Sequence, residues 1–250
     1  MEPCSSSQRA PESVAAPDVR RPAVSVIIPT LDEADELPGT LESVRPALGE
    51  DIELIVVDGG SRDGTPERAA RQARVIESSP GRGRQLAAGA EAANAQLLLF
   101  LHADTWLSPG TGASLRQVAA QPEVVGGCFE VSLRGPDAQR PLARMLARAI
   151  NLRSRFFGTA TGDQAIFVKR WAYDRAGGVP AEDLFEDVLL YRRIRRLGEV
   201  RVLKPAVRPS DRRWRTRGYS RTIGLHLLLR ILFLLRVPPA RLSSMYRRST

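Results

Sequence analysis

Cysteine is almost missing from this 250-residue chain, which carries only Cys4 and Cys128. So few thiols, one of them in a tail-like segment, exclude a disulfide-stapled fold and fit a reducing compartment. Aromatic residues amount to 6%, too few for the stacking platforms of a single-strand binder, so no nucleic acid partner is expected. No apolar run reaches the ~20 residues that a bilayer span needs. The first residues, Met1-Glu2-Pro3-Cys4-Ser5-Ser6-Ser7, have neither a basic stretch nor an apolar core, so no signal peptide is expected. Residues 1–22 are rich in Ser, Pro, Ala and charge and are expected to form a disordered tail. These absences predict a cytoplasmic protein, with the inner face of the cell membrane as the alternative site.

Hydrophobic residues make up 43% of the chain, enough to bury a substantial core. The length suits one α/β domain with additions, or two small domains. The net charge is +9, and arginine dominates the positive charge. Such a chain attracts nucleotide diphosphates, nucleic acid or anionic membrane. A basic face can also be merely solvated, so only arginines beside motifs carry functional weight.

Apolar runs predict strands at residues 24–28, 52–57, 74–77 and 97–101. Between them lie helical patterns at 35–48 and 66–72, the second opened by Pro66, and an alanine-rich one at 85–95. Strand and helix alternate throughout this half, which predicts a mostly parallel sheet with helices on both faces. Beyond it the pattern predicts a strand at 124–133 with a bulge at Gly126-Gly127. Helices follow at 142–152, 170–175 and 183–197, and strands at 165–168 and 201–203. Residues 222–235 are strongly apolar yet hold His226 and Arg230 and are flanked by Arg221 and Arg236. This run reads as an interfacial amphipathic helix, or as a C-terminal helix packed on the domain or on a second copy.

Two buried strands end in carboxylates. Residues 52–57 run into Asp58-Gly59-Gly60-Ser61-Arg62-Asp63-Gly64-Thr65, and 97–101 into His102-Ala103-Asp104. Strand C-termini are where open α/β sheets place ligands. Asp58 and Asp63 can accept from a base or ribose, although Asp-Gly turns are also common scaffolding. Asp104 suits a divalent cation shared with phosphate oxygens. His102 is either a further ligand, which Mn²⁺ accepts more readily than Mg²⁺, or a strand-end histidine bonded to backbone. Arg82 and Arg84 lie in the turn Pro80-Gly81-Arg82-Gly83-Arg84, at a predicted helix start where phosphate is favoured; a solvated turn is the alternative. No Gly-Lys-Ser/Thr follows, so it is not a P-loop. Glu186-Asp187 opens a helix whose dipole favours the anion, which suits a base that takes a hydroxyl proton.

In combination these residues resemble glycosyltransferase family 2, whose members have the GT-A fold. The resemblance covers roughly residues 23–215. Val-Ser-Val-Ile-Ile-Pro-Thr-Leu-Asp-Glu is similar to the family's opening strand, with Asp32 where Asn is usual. The 57–65 segment is similar to its nucleotide-binding motif, with Gly59 in place of a second Asp. His102-Ala103-Asp104 stands at its Asp-x-Asp metal motif, and Glu186-Asp187 at the pair whose Asp is the base. Four motifs in the right order make the likeness specific.

The resemblance implies an inverting transfer of sugar from a nucleotide-diphosphate sugar to a hydroxyl of a small-molecule or lipid acceptor. Pro29, Glu33, Asp58, Asp63, Arg82, Arg84 and Asp104 would hold the donor. Asp104, with His102 nearby, would bind Mn²⁺ or Mg²⁺. Asp187 would be the base beside Glu186, and Gly162, Asp163 and Gln164 would meet donor sugar or acceptor. Arg213 and Trp214 resemble the end of the Gln-x-x-Arg-Trp motif of processive members, but Ser210 replaces Gln, which argues against polymer synthesis. Compact size and the Gly-Arg-Gly-Arg-Gln, Phe-Leu-His-Ala-Asp-Thr and Gly-Asp-Gln segments are similar to small bacterial members associated with arsenosugar biosynthesis, and to carotenoid-acid glycosyltransferases. The resulting division is a tail (1–22), a catalytic domain (23–215), and a C-terminal amphipathic helix with a basic tail (216–250). Alternative readings are a nucleotidyltransferase of similar layout, against which the missing Gly- and Lys-rich N-terminal loop counts, and a non-catalytic basic module for membrane or RNA. Nothing in the sequence sets the oligomeric state.

Overall fold

The computed structural model describes residues 21–182, 184–235 and 237–249. The expected tail therefore lies almost wholly outside the described residues, as do Cys4, Asp183 and Arg236.

The first half alternates as its apolar pattern requires. β1 (Val24–Thr30), α1 (Leu37–Leu48), β2 (Ile52–Asp58), α2 (Thr65–Ala69), β3 (Arg74–Glu77), α3 (Arg82–Ala92) and β4 (Leu97–Phe100) follow one another. β1 pairs in parallel with β2 and β4, and β2 with β3. Crossover helices make this arrangement possible, because parallel neighbours need long connections. β1 and β2 are buried on both faces, which explains their near-continuous apolar runs.

The second half mixes directions. It contains β5 (Thr105–Trp106), α4 (Thr111–Ala119), β6 (Val124–Val131), α5 (Pro141–Phe157), β7 (Ile166–Lys169), α6 (Arg170–Arg175), α7 (Glu186–Ile194) and β8 (Glu199–Pro209). A 3₁₀ turn, Gly162–Gln164, precedes β7. Three helices close the chain: α8 (Arg212–Arg217), α9 (Tyr219–Leu234) and α10 (Pro239–Ser249). The sheet order is β3-β2-β1-β4-β7-β6-β8-β5. β7 runs antiparallel to both β4 and β6, whereas β6 and β8 are parallel.

Alternate residues of the strands feed two cores. One face sets Val26, Ile28, Val56 and Leu99 against Leu41 and Val44 of α1, Leu115 of α4 and Ile150 of α5. The other sets Ile27, Ile55, Val57 and Leu98 against Leu86 of α3, Tyr173 of α6 and Tyr191 of α7. The result is the three-layer α/β architecture expected from the sequence. Cys128 lies in the second core, where burial pushes its thiol up to about 12.

Several boundaries differ from expectation. α3 begins at Arg82 rather than 85, so the glycine-rich segment forms the first helical turn itself. β6 is bulged one residue earlier than expected, with the register shift between Val124 and Gly126, while Gly126 and Gly127 pair in step with Val200 and Arg201. The last strand is 11 residues rather than three; its Lys, Arg and Pro residues hide a half-exposed strand that lacks apolar alternation. α5 runs to Phe157, and α7 begins at Glu186 rather than 183. The expected boundary near residue 215 falls inside α8.

Candidate active site

The C-terminal ends of β1, β2 and β4 gather the predicted donor-binding residues, and each is held differently. Asp58 is 3% exposed. Its Oδ2 accepts the N–H groups of Gly60 and Ser61, each at 2.8 Å, and its Oδ1 accepts the hydroxyls of Ser61 at 2.5 Å and Thr30 at 3.2 Å. Asp63 accepts from Ala34 N–H at 2.9 Å and from Thr65 N–H and hydroxyl at 3.0 and 2.5 Å. The Thr65 hydroxyl bond and the Ala34 N–H hold its carboxyl below the usual range. Asp32 takes a left-handed φ of 54°, which Asp tolerates better than most residues. From there its Oδ1 accepts Arg62 N–H at 2.9 Å. The turn after β2 is thus locked onto the turn after β1.

Glu33 accepts from Arg212 at 2.7 Å, and burial raises its pKa despite that pairing. Arg212 of α8 therefore straps the C-terminal helices to the end of β1. Pro29 stands one residue before the end of β1. Arg84 is exposed and donates to the Pro80 carbonyl at 2.6 and 3.1 Å, so it shapes the turn ahead of α3. None of Pro29, Glu33, Asp58, Asp63 and Arg84 lines the cavity that holds most of the other predicted residues.

That cavity, about 350 Å³, lies between the sheet edge and helices α5, α8, α9 and α10. It brings together Arg82, His102, Asp104, Gly162, Asp163, Asp187, Arg213 and Trp214, eight of the predicted residues. Asp104 is positioned by its backbone: its carbonyl accepts Ser210 N–H at 3.0 Å and Arg134 at 3.2 Å. Next to it, the Ala103 carbonyl accepts the Thr40 hydroxyl at 2.7 Å. Gln164 stands apart, fully buried beneath the cavity floor. It donates to the Phe129 carbonyl at 3.2 Å and accepts from Ser154 at 2.9 Å and Arg153 at 3.0 Å. Its role is to fix the turn that presents Gly162 and Asp163.

Electrostatics separate this cavity from the β1 and β2 strand ends. Glu186 is fully buried. Its Oε1 faces Arg82 at 3.4 Å and its Oε2 has no hydrogen-bond partner among the described residues. Burial pushes its carboxyl up to about 7. Burial also raises Asp187, although Arg82 and the N–H groups of Gly162 and Val188, each at 2.6 Å, favour its charged form. The helix dipole favours the anion at this pair, as expected from the sequence, but desolvation outweighs it. Burial opposes the charge on Arg82, but Glu186 and Asp187 outweigh it, and its pKa is raised. Phe185, just before this pair, takes a left-handed φ of 66° and stacks on Phe233 of α9 at 4.5 Å. A bulky residue in that region is strained, and the stacking holds it there.

His102 has a buried Nε2 with no hydrogen bond among the described residues, packed against Gly162, where any Cβ would overlap it. Burial, then the cations Arg82 and Arg213, holds its pKa well below the usual value, so the imidazole is neutral at pH 7. Among the described residues no cluster of three or more His, Cys, Asp or Glu side chains could cage a metal alone. Mg²⁺-type sites commonly combine one or two carboxylates with substrate phosphates. Asp104, one of three carboxylates that line the cavity with Asp163 and Asp187, fits a cation shared in that way.

Arg153 and Arg230, neither of them expected at the site from the sequence, line the same cavity. Arg153 donates to Thr161 at 3.1 Å, and Arg230 to Thr159 at 2.8 Å. Burial, then Arg153, lowers the Arg230 pKa to about 10. The one available signal was an arginine inside an otherwise apolar helix. Trp214 stacks on Tyr219 at 6.1 Å and meets His226 edge-on at 5.5 Å, which ties α8 to α9 over the cavity.

Comparison with known proteins follows the same outline. The sequence pattern of Glycosyl transferase family 2 matches residues 25–174, a range that ends before α7. The undecaprenyl-phosphate 4-deoxy-4-formamido-L-arabinose transferase of Pseudomonas fluorescens is 28% identical over 165 residues, 59% of this chain and 46% of that protein. The glucosyl-3-phosphoglycerate synthase of Mycolicibacterium paratuberculosis is 35% identical over 92 residues, 32% of this chain and 28% of that one. The chain thus spans less than half the length of these curated relatives. Among solved structures, a mannosyltransferase from Pyrobaculum calidifontis in complex with GDP-Man and Mn²⁺ superposes with a TM-score of 0.60. It is 23% identical, and the match covers 92% of this chain and 69% of that one.

Proposed function

The chain belongs to glycosyl transferase family 2, with its GT-A fold, and from that premise we propose an inverting, metal-assisted transfer of sugar from a nucleotide-diphosphate sugar to an acceptor hydroxyl. The observation that carries this reading is Asp187, a desolvated carboxylate held at the cavity by two backbone N–H groups. It shares that cavity with Arg82 and Asp104.

In this reading Asp187 takes the acceptor proton as the acceptor oxygen forms its bond to the anomeric carbon. The bond from that carbon to the diphosphate oxygen breaks, and configuration inverts because attack and departure occur on opposite faces. Desolvation makes Asp187 a stronger base than a solvated aspartate. Glu186 holds the Arg82 guanidinium at the cavity, where it meets negative charge growing on the leaving diphosphate. Asp104 would hold Mn²⁺ or Mg²⁺ together with diphosphate oxygens, and the ion supplies charge neutralisation to the leaving group. Pro29, Glu33, Asp58 and Asp63 frame the nucleoside, and Arg84 keeps the shape of the turn leading to Arg82. Gly162, Asp163, Arg213 and Trp214 border the space for transferred sugar and acceptor, a small molecule or a lipid.

The test is thermal shift against UDP-, GDP- and dTDP-sugars with and without Mn²⁺ or Mg²⁺, followed by NMR of the product anomer. Metal-dependent stabilisation by one nucleotide, with an inverted product, is expected. A product with the donor's configuration would overturn the single displacement.

A further inference from the structure

Helix α5 has one face too many. Ala143, Ala147, Ile150 and Ser154 are buried against the sheet, while Leu146, Ala149 and Arg153 line the cavity. A third stripe, Leu142, Met145, Leu152 and Phe156, faces outward. Met145 is 61% exposed, Leu152 54% and Phe156 76%. These positions recur at helical spacing on one side. Beside them stand the exposed guanidinium groups of Arg144 and Arg148.

α9 repeats the arrangement across the cavity. Ile223, Leu229 and Arg230 face inward, whereas Leu227, Leu228 and Ile231 are exposed, with Leu235 just past the helix end. Leu227 and Ala149 are both exposed and cavity-lining, so they form the rim. The bond from Arg230 to Thr159 joins α9 to the segment that follows α5. The two outward stripes therefore flank one opening. Neither segment, 141–157 or 212–250, contains Asp or Glu; Arg153 and Arg230 turn into the cavity and Arg155 and Arg212 pair with Glu130 and Glu33, while Arg144, Arg148, Arg221 and Arg241 are exposed.

We propose that α5 and α9 together form a docking surface for an anionic lipid bilayer, so that the cavity opens toward the lipid and the acceptor enters from it. The second clause rests on the glycosyl-transfer reading; the first does not. Apolar side chains flanked by arginines suit the boundary between acyl chains and anionic headgroups. A second copy fits less well, because a symmetric contact through this face would set arginine rows against each other. Among the described residues no helix is long and apolar enough to cross a membrane, so the surface would rest on the bilayer.

The experiment is co-sedimentation of the full chain with phosphatidylcholine vesicles, with and without phosphatidylglycerol. Binding is expected only with the anionic lipid and should weaken with salt. The triple variant M145E/L152E/F156E should bind about tenfold or more weakly. Its metal-dependent thermal shift with nucleotide sugar should match the parent, which shows that it folds. Absence of binding to anionic vesicles, or equal binding by the variant, would overturn the proposal. A dimer in sedimentation velocity that the variant splits would overturn it as well, in favour of a second copy. Vesicle binding without any nucleotide-sugar response would leave the surface standing and remove the transfer reading.

Discussion

The carboxylates at the end of β2 and those at the start of α7 are the same chemical group in opposite circumstances. Asp58 and Asp63 are ringed by backbone N–H groups and hydroxyls. Glu186 and Asp187 have fewer donors: Asp187 accepts two N–H groups, and Glu186 has one cation at 3.4 Å and an oxygen with no partner among the described residues. A carboxylate saturated with donors holds a loop still. One stripped of water and short of donors has a raised proton affinity and is suited to move a proton. The difference lies in what surrounds the acids.

Swapping the properties of the two groups tests this contrast. The largest effect is expected from Asp187→Asn, which keeps shape and removes the base. kcat should fall by about 10²–10⁴ while donor Kd, measured by calorimetry, stays near that of the parent; retained turnover would put the base elsewhere. Asp104→Ala should lower kcat/KM on the order of a hundredfold and abolish any metal-induced tightening of nucleotide binding. Asp58→Ala should act on stability, because it strands two N–H groups and two hydroxyls. Urea unfolding should show a loss of about 2–4 kcal/mol. A stable Asp58→Ala that merely binds nucleotide poorly would show that Asp58 contacts the nucleoside directly and does not act by shaping the turns that frame it.

The smallest effect concerns pH. The folded Glu186 carboxyl sits at about 7, above its ordinary 4.5, so the folded state keeps a proton that the unfolded chain releases. Its stabilising contribution is complete below pH 4.5 and is lost as pH rises to about 7. Glu186→Gln should flatten that slope, changing the pH dependence of unfolding by about 1–3 kcal/mol across the window. An unchanged slope would mean that Glu186 titrates normally. Asp187, shifted the same way, would leave a residual slope in the variant.

The sequence revealed most where burial is two-sided. β1, β2, β4 and α6 lie close to their expected positions because continuous apolar runs and Pro or Gly punctuation leave few alternatives. α4 escaped notice because Thr111–Ala119 is short and weakly apolar, and β8 was expected only over 201–203 because a half-exposed strand holding Lys204, Pro205 and Arg208 lacks alternation. Asp104, Glu186 and Asp187 were visible as acids at element ends. The burial that raises the last two was not, since it is built from parts distant in the chain, among them α3, whose Arg82 faces Glu186, and the turn whose Gly162 N–H meets Asp187. Arg153 and Arg230 were hidden by abundance: 35 of 37 cationic side chains are arginine. The Gly-Asp-Gln likeness pointed to a substrate contact, whereas Gln164 spends its amide on Phe129, Ser154 and Arg153.

Gly83, in the first turn of α3, lies so close to the loop before α7 that a Cβ would overlap the carbonyl oxygens of Pro180 and Glu182. The helix that carries Arg82 and the loop that leads to Asp187 are therefore fitted to each other with no slack. In hereditary terms, the two walls of the cavity cannot drift independently: even the smallest inherited change at Gly83 would move the arginine and the base apart together. An engineer reshaping the acceptor side has freedom along α5 and α9, but must leave that seam alone.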